Sequence, residues 1–141
     1  MNIEKFILEK DINVICMKAE TFPEGLEDAF QKLHSLVSSS KGRRNFGISR
    51  PGASGEIIYK AALEETFEGE AQSLNCESFK IKSGEYESIL IKDFMQNIKK
   101  IGSAFQELTS YSNIDPEGYC LEIYLNEKDV RCMVPLKSIN N

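Results

Sequence analysis

"AFQKL" at Ala29–Leu33 and "AFQEL" at Ala104–Leu108 decide how this 141-residue chain is read. Alanine, leucine and glutamine are common helix residues, so a five-residue echo counts only if its spacing holds elsewhere. The spacing is 104 − 29 = 75 residues. Shifting the first half forward by that amount, without gaps, brings Ile15 onto Leu90, Leu26 onto Ile101, Phe46 onto Leu121, Ile48 onto Ile123 and Ile58 onto Met133. Apolar positions meet apolar positions through strand-like and helix-like segments alike, the signature of an internal repeat. The chain is read as a diverged duplication, with halves at about 3–66 and 78–141 and a linker at 67–77.

Within the first echo, Leu26, Ala29, Phe30, Leu33 and Val37 draw one apolar stripe down a helix that begins near Pro23. Ile98, Ile101, Phe105 and Leu108 repeat it, so Phe30 and Phe105 are expected at equivalent buried sites. Short segments rich in Ile, Val, Phe and Tyr flank both helices: "KFIL", "INVICMK", "RNFGIS" and "EIIYKAA", then "SFKIK", "YESILIK", "GYCLEIYL" and "VRCMVPL". Each half reads β-β-α-β-β. An α+β fold, with two helices on one face of an antiparallel sheet, buries both stripes.

Composition bounds the function. With 41% hydrophobic and 28% charged residues the chain can close one core, and a net charge of −5 argues against direct nucleic-acid binding. The locally basic "SSSKGRR" (Ser38–Arg44) reads as a solvated loop, and the acidic "EETFEGE" (Glu64–Glu70) as a solvated connector. No run approaches the roughly 20 apolar residues of a membrane span, and "MNIEKFILEKD" carries acids where a secretory signal needs a basic then apolar stretch, so a cytoplasmic protein is expected. Cys16, Cys76, Cys120 and Cys132 form no C-x-x-C pair and the single His34 lies far from them, so no metal site is expected; they read as reduced core residues, and His34 as a surface residue. Nucleotide-binding glycine loops and a nucleophile elbow are absent, so no cofactor and no catalytic set is expected.

Three stretches carry a family likeness. "FKIKSGEY" (Phe79–Tyr86) followed by a helix, "CLEIYLN" (Cys120–Asn126) and the "VP" of Val134 and Pro135 together resemble the GyrI-like domain, over nearly the whole chain. That family includes effector-binding domains of AraC-type and MerR-type multidrug regulators and the free-standing gyrase inhibitory protein. The resemblance implies a pseudo-twofold curved antiparallel sheet, helices on one side and a small-molecule cleft near the axis, where a glutamate recognises lipophilic cations. It also implies a sensor without its own DNA reader, since the first repeat begins around Ile3.

Strand alternation supplies candidates for the cleft. If Leu121, Ile123 and Leu125 pack under the helices together with Val130, Cys132, Val134 and Leu136, then Glu122, Tyr124, Arg131 and Met133 share the opposite face. The repeat sets Gly47, Ser49, Glu56 and Ile58 at matching positions, and Tyr59 and Tyr86 fall where the family carries tyrosines. The ligand-binding set is thus Glu122, Tyr124, Arg131, Met133, Glu56, Ile58, Tyr59 and Tyr86, for a small amphiphilic or aromatic ligand. A plain solvated face with a Glu122–Arg131 ion pair is the competing reading of the pattern. Drug-binding members tend to carry a glutamate where this chain has Arg131; the reversed sign, beside Glu122, would favour neutral or anionic ligands. Two other functions stay open: a protein–protein inhibitor module of the gyrase-inhibitor type, and hydrolysis of reactive toxins by Glu122.

Overall fold

Apolar stripes of the kind the sequence carries form helices when a sheet is there to cover them, and both do so here. The computed structural model describes residues 1–110 and 113–137; positions 138–141 of the second sequence half lie outside the described residues. Eight strands and three helices follow in the order β1 (Ile3–Leu8), β2 (Ile12–Lys18), α1 (Leu26–Leu36), β3 (Asn45–Pro51), β4 (Ile57–Glu64), α2 (Glu70–Ser73), β5 (Glu77–Ile81), β6 (Gly84–Ile91), α3 (Lys99–Leu108), β7 (Cys120–Tyr124) and β8 (Val130–Pro135) among those residues. The class is α+β, with antiparallel strand pairing in every ladder described.

The chain divides into two compact units that differ from the sequence halves by one strand at each boundary. Asp11–Ile81 forms one, with strand order β3-β4-β2-β5; Met1–Lys10 and the chain from Lys82 onward form the other, with order β1-β6-β8-β7. β1 ladders with β6 (Ile3↔Ile89 to Leu8↔Gly84), although only three residues separate it from β2. β5 likewise ladders with β2, not with the adjacent β6. The first strand of each sequence half thus pairs with the second strand of the other.

In the Asp11–Ile81 unit, α1 covers Ile15, Tyr59, Ala61 and Leu63 with Ala29 and Leu33, both buried. Gly25 starts this helix because a Cβ there would lie 2.7 Å from the Thr21 carbonyl oxygen. In the other unit, α3 sets Ala104 and Leu108 against Ile89, Ile91, Val130, Cys132 and Val134. Ala29/Leu33 and Ala104/Leu108 are therefore the buried centres of the two stripes. Phe30 and Phe105 occupy matching positions but stay half-buried, because the small alanine beside each lets the helix sit close and turns the ring to its flank. One of the 75-residue matches changes face: Ile15 points to α1, whereas Leu90 points away from α3, between Ile89 and Ile91 which face it.

The two charged segments fold against each other within the Asp11–Ile81 unit. Arg43 makes a bidentate contact with Glu70, Nη1 to Oε1 and Nη2 to Oε2, each 2.9 Å, with both side chains under a tenth exposed (8% and 6%). Thr66 adds its backbone N–H and its hydroxyl to Glu70 Oε1. Neither segment is purely a solvated loop, because Arg43 of the basic one is buried against Glu70, the last residue of the acidic one and the first of α2. His34, read as a surface residue, is half-buried and its Nε2 lies 2.6 Å from Asn45 Oδ1. Burial pushes Cys16 up to about 12 and Cys132 higher still, with Glu77 and Glu122 respectively adding to it.

Burial opposes ionisation of Glu70, but the hydrogen bonds from Arg43 and Thr66 outweigh it and hold the carboxyl below its ordinary value. The stabilisation is therefore complete above the unfolded carboxylate pKa of about 4.3 and fades as pH falls through the lower native value. Arg43→Met, which strands a buried carboxylate, is expected to cost about 3–5 kcal/mol in urea unfolding at pH 7. Lys41→Met, on the exposed part of the loop, is expected to change stability by less than about 0.5 kcal/mol. Equal effects for the two substitutions would contradict the pairing.

Candidate functional site

The side on which Glu122 points is set by the turn between β7 and β8. Asn126 Oδ1 accepts hydrogen bonds from the backbone N–H groups of Lys128 (2.6 Å) and Asp129 (2.9 Å), and Leu125 N–H donates to the Asp129 carbonyl (3.0 Å). An asparagine folding the chain back on itself in this way fixes the loop length. The resulting ladder pairs Leu121 with Met133, Glu122 with Cys132, Ile123 with Arg131 and Tyr124 with Val130.

Directly paired residues share a face. Val130, Cys132 and Val134 pack against α3, so Cys120, Glu122 and Tyr124 face the helix too. Leu121 and Ile123 lie on the other side with Arg131 and Met133. The face assignment of β7 read from the sequence is thus corrected: Glu122 and Arg131 are on opposite sides, and the cross-strand ion pair between them does not exist. A shift of pairing by one residue exchanges every side chain between faces, and alternation within one strand cannot reveal it.

On the helix side, Glu122 is 7% exposed and Tyr124 O–H donates to its Oε1 at 2.5 Å. Phe94, in the 3₁₀ turn Phe94–Gln96 ahead of α3, meets the Tyr124 ring edge-on at 5.5 Å, and its N–H donates to the Lys128 carbonyl at 2.8 Å. That bond ties the aromatic pair to the β7–β8 turn. Phe94 touches the Tyr124 ring and Tyr124 touches Glu122, so two aromatic rings stand near one buried carboxylate. Such a carboxylate suits a cation or a hydrogen-bond donor presented by an apolar body.

In the Asp11–Ile81 unit the helix side of the sheet carries Tyr59, buried to 1% exposure and stacked on Phe22 with ring centroids 5.0 Å apart and planes 13° apart. Phe22 keeps 37% exposure. Beside Tyr59 on that side stand Ser49, Ala61 and Gly47, by the pairings Ser49↔Tyr59 and Gly47↔Ala61.

The remaining candidates lie apart from these groups. Tyr86 points away from α3; its hydroxyl donates to the Lys82 carbonyl at 2.6 Å and lies 2.8 Å from the Tyr119 hydroxyl, which fastens the start of β6. Ile58 is half-buried on the side of its sheet away from α1. Glu56 is exposed in the β3–β4 turn, where its Oε2 accepts from Ser54 N–H at 3.1 Å. Met133 is fully buried. Of the sequence-derived set, then, Glu122 and Tyr124 meet, Arg131 and Met133 share the other face, and Glu56 is a turn residue.

Phe22 and Phe94 went unread because neither belongs to a strand pattern; an aromatic just ahead of each helix was their one visible mark. A cavity of about 300 Å³ in the Asp11–Ile81 unit, lined by Asp11, Asn13, Arg44, Glu64, Thr66 and Phe67 among others, includes none of the candidate residues. Among the described residues no group of His, Cys, Asp and Glu side chains has metal-binding geometry, and no helix is long and apolar enough to cross a membrane.

No protein-family model and no curated protein sequence matches the chain. Solved structures do match in fold. SAV2435, in a structure bound to tetraphenylphosphonium, superposes with a TM-score of 0.66 at 12% identity, over 99% of this chain and 96% of that one. A hydrolase from Listeria innocua gives 0.61 at 10% identity, over 96% and 92%. A Staphylococcus aureus MU50 protein put forward as a bacterial transcription regulator gives 0.58 at 11% identity, over 97% of each chain.

Tyr124→Phe removes a donor from a buried carboxylate and is expected to lower stability by about 1–3 kcal/mol in urea unfolding. Adding Glu122→Gln to Tyr124→Phe should recover part of that loss, because the charge is gone. Additive losses would mean that the two side chains do not meet.

Proposed function

We propose that this protein is a GyrI-like effector-binding domain that senses or sequesters a small lipophilic cation, with Glu122 as the charge-recognising group. The observation that carries this reading is the burial of Glu122 on the helix side of β7, with the Tyr124 hydroxyl on one oxygen and the Phe94 ring beyond. SAV2435, which shares the fold, has been solved with an aromatic cation bound, and that supports the ligand class by analogy. The preference for neutral or anionic ligands expected from the sequence required Arg131 beside Glu122, and the β7–β8 ladder sets the two on opposite faces. The same reading takes the chain as two diverged copies of one unit.

A monocation about 6 Å from the carboxylate gains roughly 2–3 kcal/mol at an effective dielectric near 20. Glu122→Gln is therefore expected to weaken tetraphenylphosphonium binding, measured by calorimetric titration, by about ten- to a hundredfold. Binding that is absent from the unmodified protein, or indifferent to that substitution, would overturn the proposal. Hydrolysis of an ester or epoxide abolished by Glu122→Gln would replace it with an enzymatic reading.

A further inference from the structure

Arg131 stands on the face of β8 that turns away from α3, and three strands combine to hold it. Its side chain crosses β6 over the small, fully buried Ser88, to whose Oγ its Nη1 donates at 3.1 Å. It ends on β1 with Cζ 5.2 Å from the centroid of the Phe6 ring. Ser88 Oγ in turn donates to the Glu4 carbonyl at 3.0 Å, so the serine cannot turn away. A guanidinium stacked on an aromatic ring and pinned at one corner has its plane and direction fixed.

Two of the other arginines, Arg43 and Arg44, are closed by acids, and Arg50 stands over the Phe79 ring with Cζ 5.8 Å from its centroid. Arg43 makes its bidentate contact with Glu70, and Arg44 grips Glu64 through Nε (3.1 Å) and Nη2 (2.7 Å). Among the described residues no carboxylate lies within 4 Å of Arg131, and its single hydrogen bond leaves most of the fork without a protein acceptor. The residue is half-buried. Its direct neighbours across the ladders are Leu90 on β6 and Ile123 on β7, both apolar, with Met133 two positions along β8. Glu4 is the one acid on this face of β1, β6, β7 and β8; it is exposed and beyond ion-pairing range of the guanidinium, where solvent screens it. No second cation stands on this face of those strands.

We propose that Arg131 is the head-group site for the carboxylate of an amphiphilic organic acid, whose tail lies over the partly exposed Phe6 and Leu90. The planar fork matches a carboxylate edge to edge, and a lone cation among apolar side chains suits a monoanion better than a phosphate dianion. This site is on the opposite face of the sheet from Glu122 and does not depend on the cation reading.

Decanoate below its micellar concentration is the probe, titrated calorimetrically at pH 7.5, with decyltrimethylammonium and octyl glucoside as cationic and neutral counterparts. Decanoate is expected to bind one to one, and Arg131→Gln to weaken it at least tenfold. Arg131→Lys should fall between, and Glu122→Gln should leave decanoate unchanged while weakening tetraphenylphosphonium, which keeps the two readings separable. Decanoate affinity within twofold in Arg131→Gln, or no decanoate binding to the unmodified protein, would overturn the proposal. Displacement of decanoate by millimolar inorganic phosphate would overturn the choice of a carboxylate. If Arg131→Gln does not fold, nuclear magnetic resonance of the unmodified protein decides: the Arg131 Nε–H and Phe6 ring signals must move on adding decanoate, and their standing still refutes the site.

Discussion

The pairing of Glu122 with Cys132 governs where every polar group of β7 and β8 points. Two strands joined by a turn of given length have no freedom left in their facing: once Asn126 closes the turn, Glu122 and Tyr124 must join Val130, Cys132 and Val134 beneath α3. Arg131 and Met133 must then go to the other side. A carboxylate and a guanidinium that stand near each other in sequence are thereby held apart by the thickness of the sheet. Each is left to meet its own surroundings: a phenol and an aromatic edge for Glu122, a serine and a ring face for Arg131.

This separation gives the sheet two faces of different chemistry. On the helix side an acceptor sits under apolar cover, which in the proposed function selects for positive charge. On the other side a donor fork sits over apolar cover, which in the further inference selects for negative charge. Burial sharpens both, since solvent competes less with a group that is largely withdrawn from it. The Arg43–Glu70 pair is the contrasting case in which a buried cation and a buried anion do meet, and there the outcome is a brace between the α1–β3 loop and α2.

Much of the fold was legible because its strongest signals are local. The stripes Ala29–Leu33 and Ala104–Leu108 require only helical geometry to find each other's spacing, and the alternating segments around them give the strands. Pairing partners are not local. β1 and β2 are joined by a loop short enough for a hairpin, yet each ladders with a strand from the other sequence half, and nothing in "EKDI" announces that. The candidate site suffered from the same limit in a milder form. Glu122 and Tyr124 were found because alternation puts i and i+2 together, but their facing relative to β8 depended on the parity of a turn. Asn126 carried that information in a side-chain hydrogen bond, which no apolar pattern records.

Cross-strand nuclear Overhauser contacts measure this parity directly in the unmodified protein. Contacts are expected from the Tyr124 ring to Phe94 and to Val130, and from the Arg131 side chain to the Phe6 ring, with none between Arg131 and Tyr124. A contact between the Arg131 side chain and the Tyr124 ring would put both on one face, and the separation of the carboxylate from the guanidinium would be contradicted.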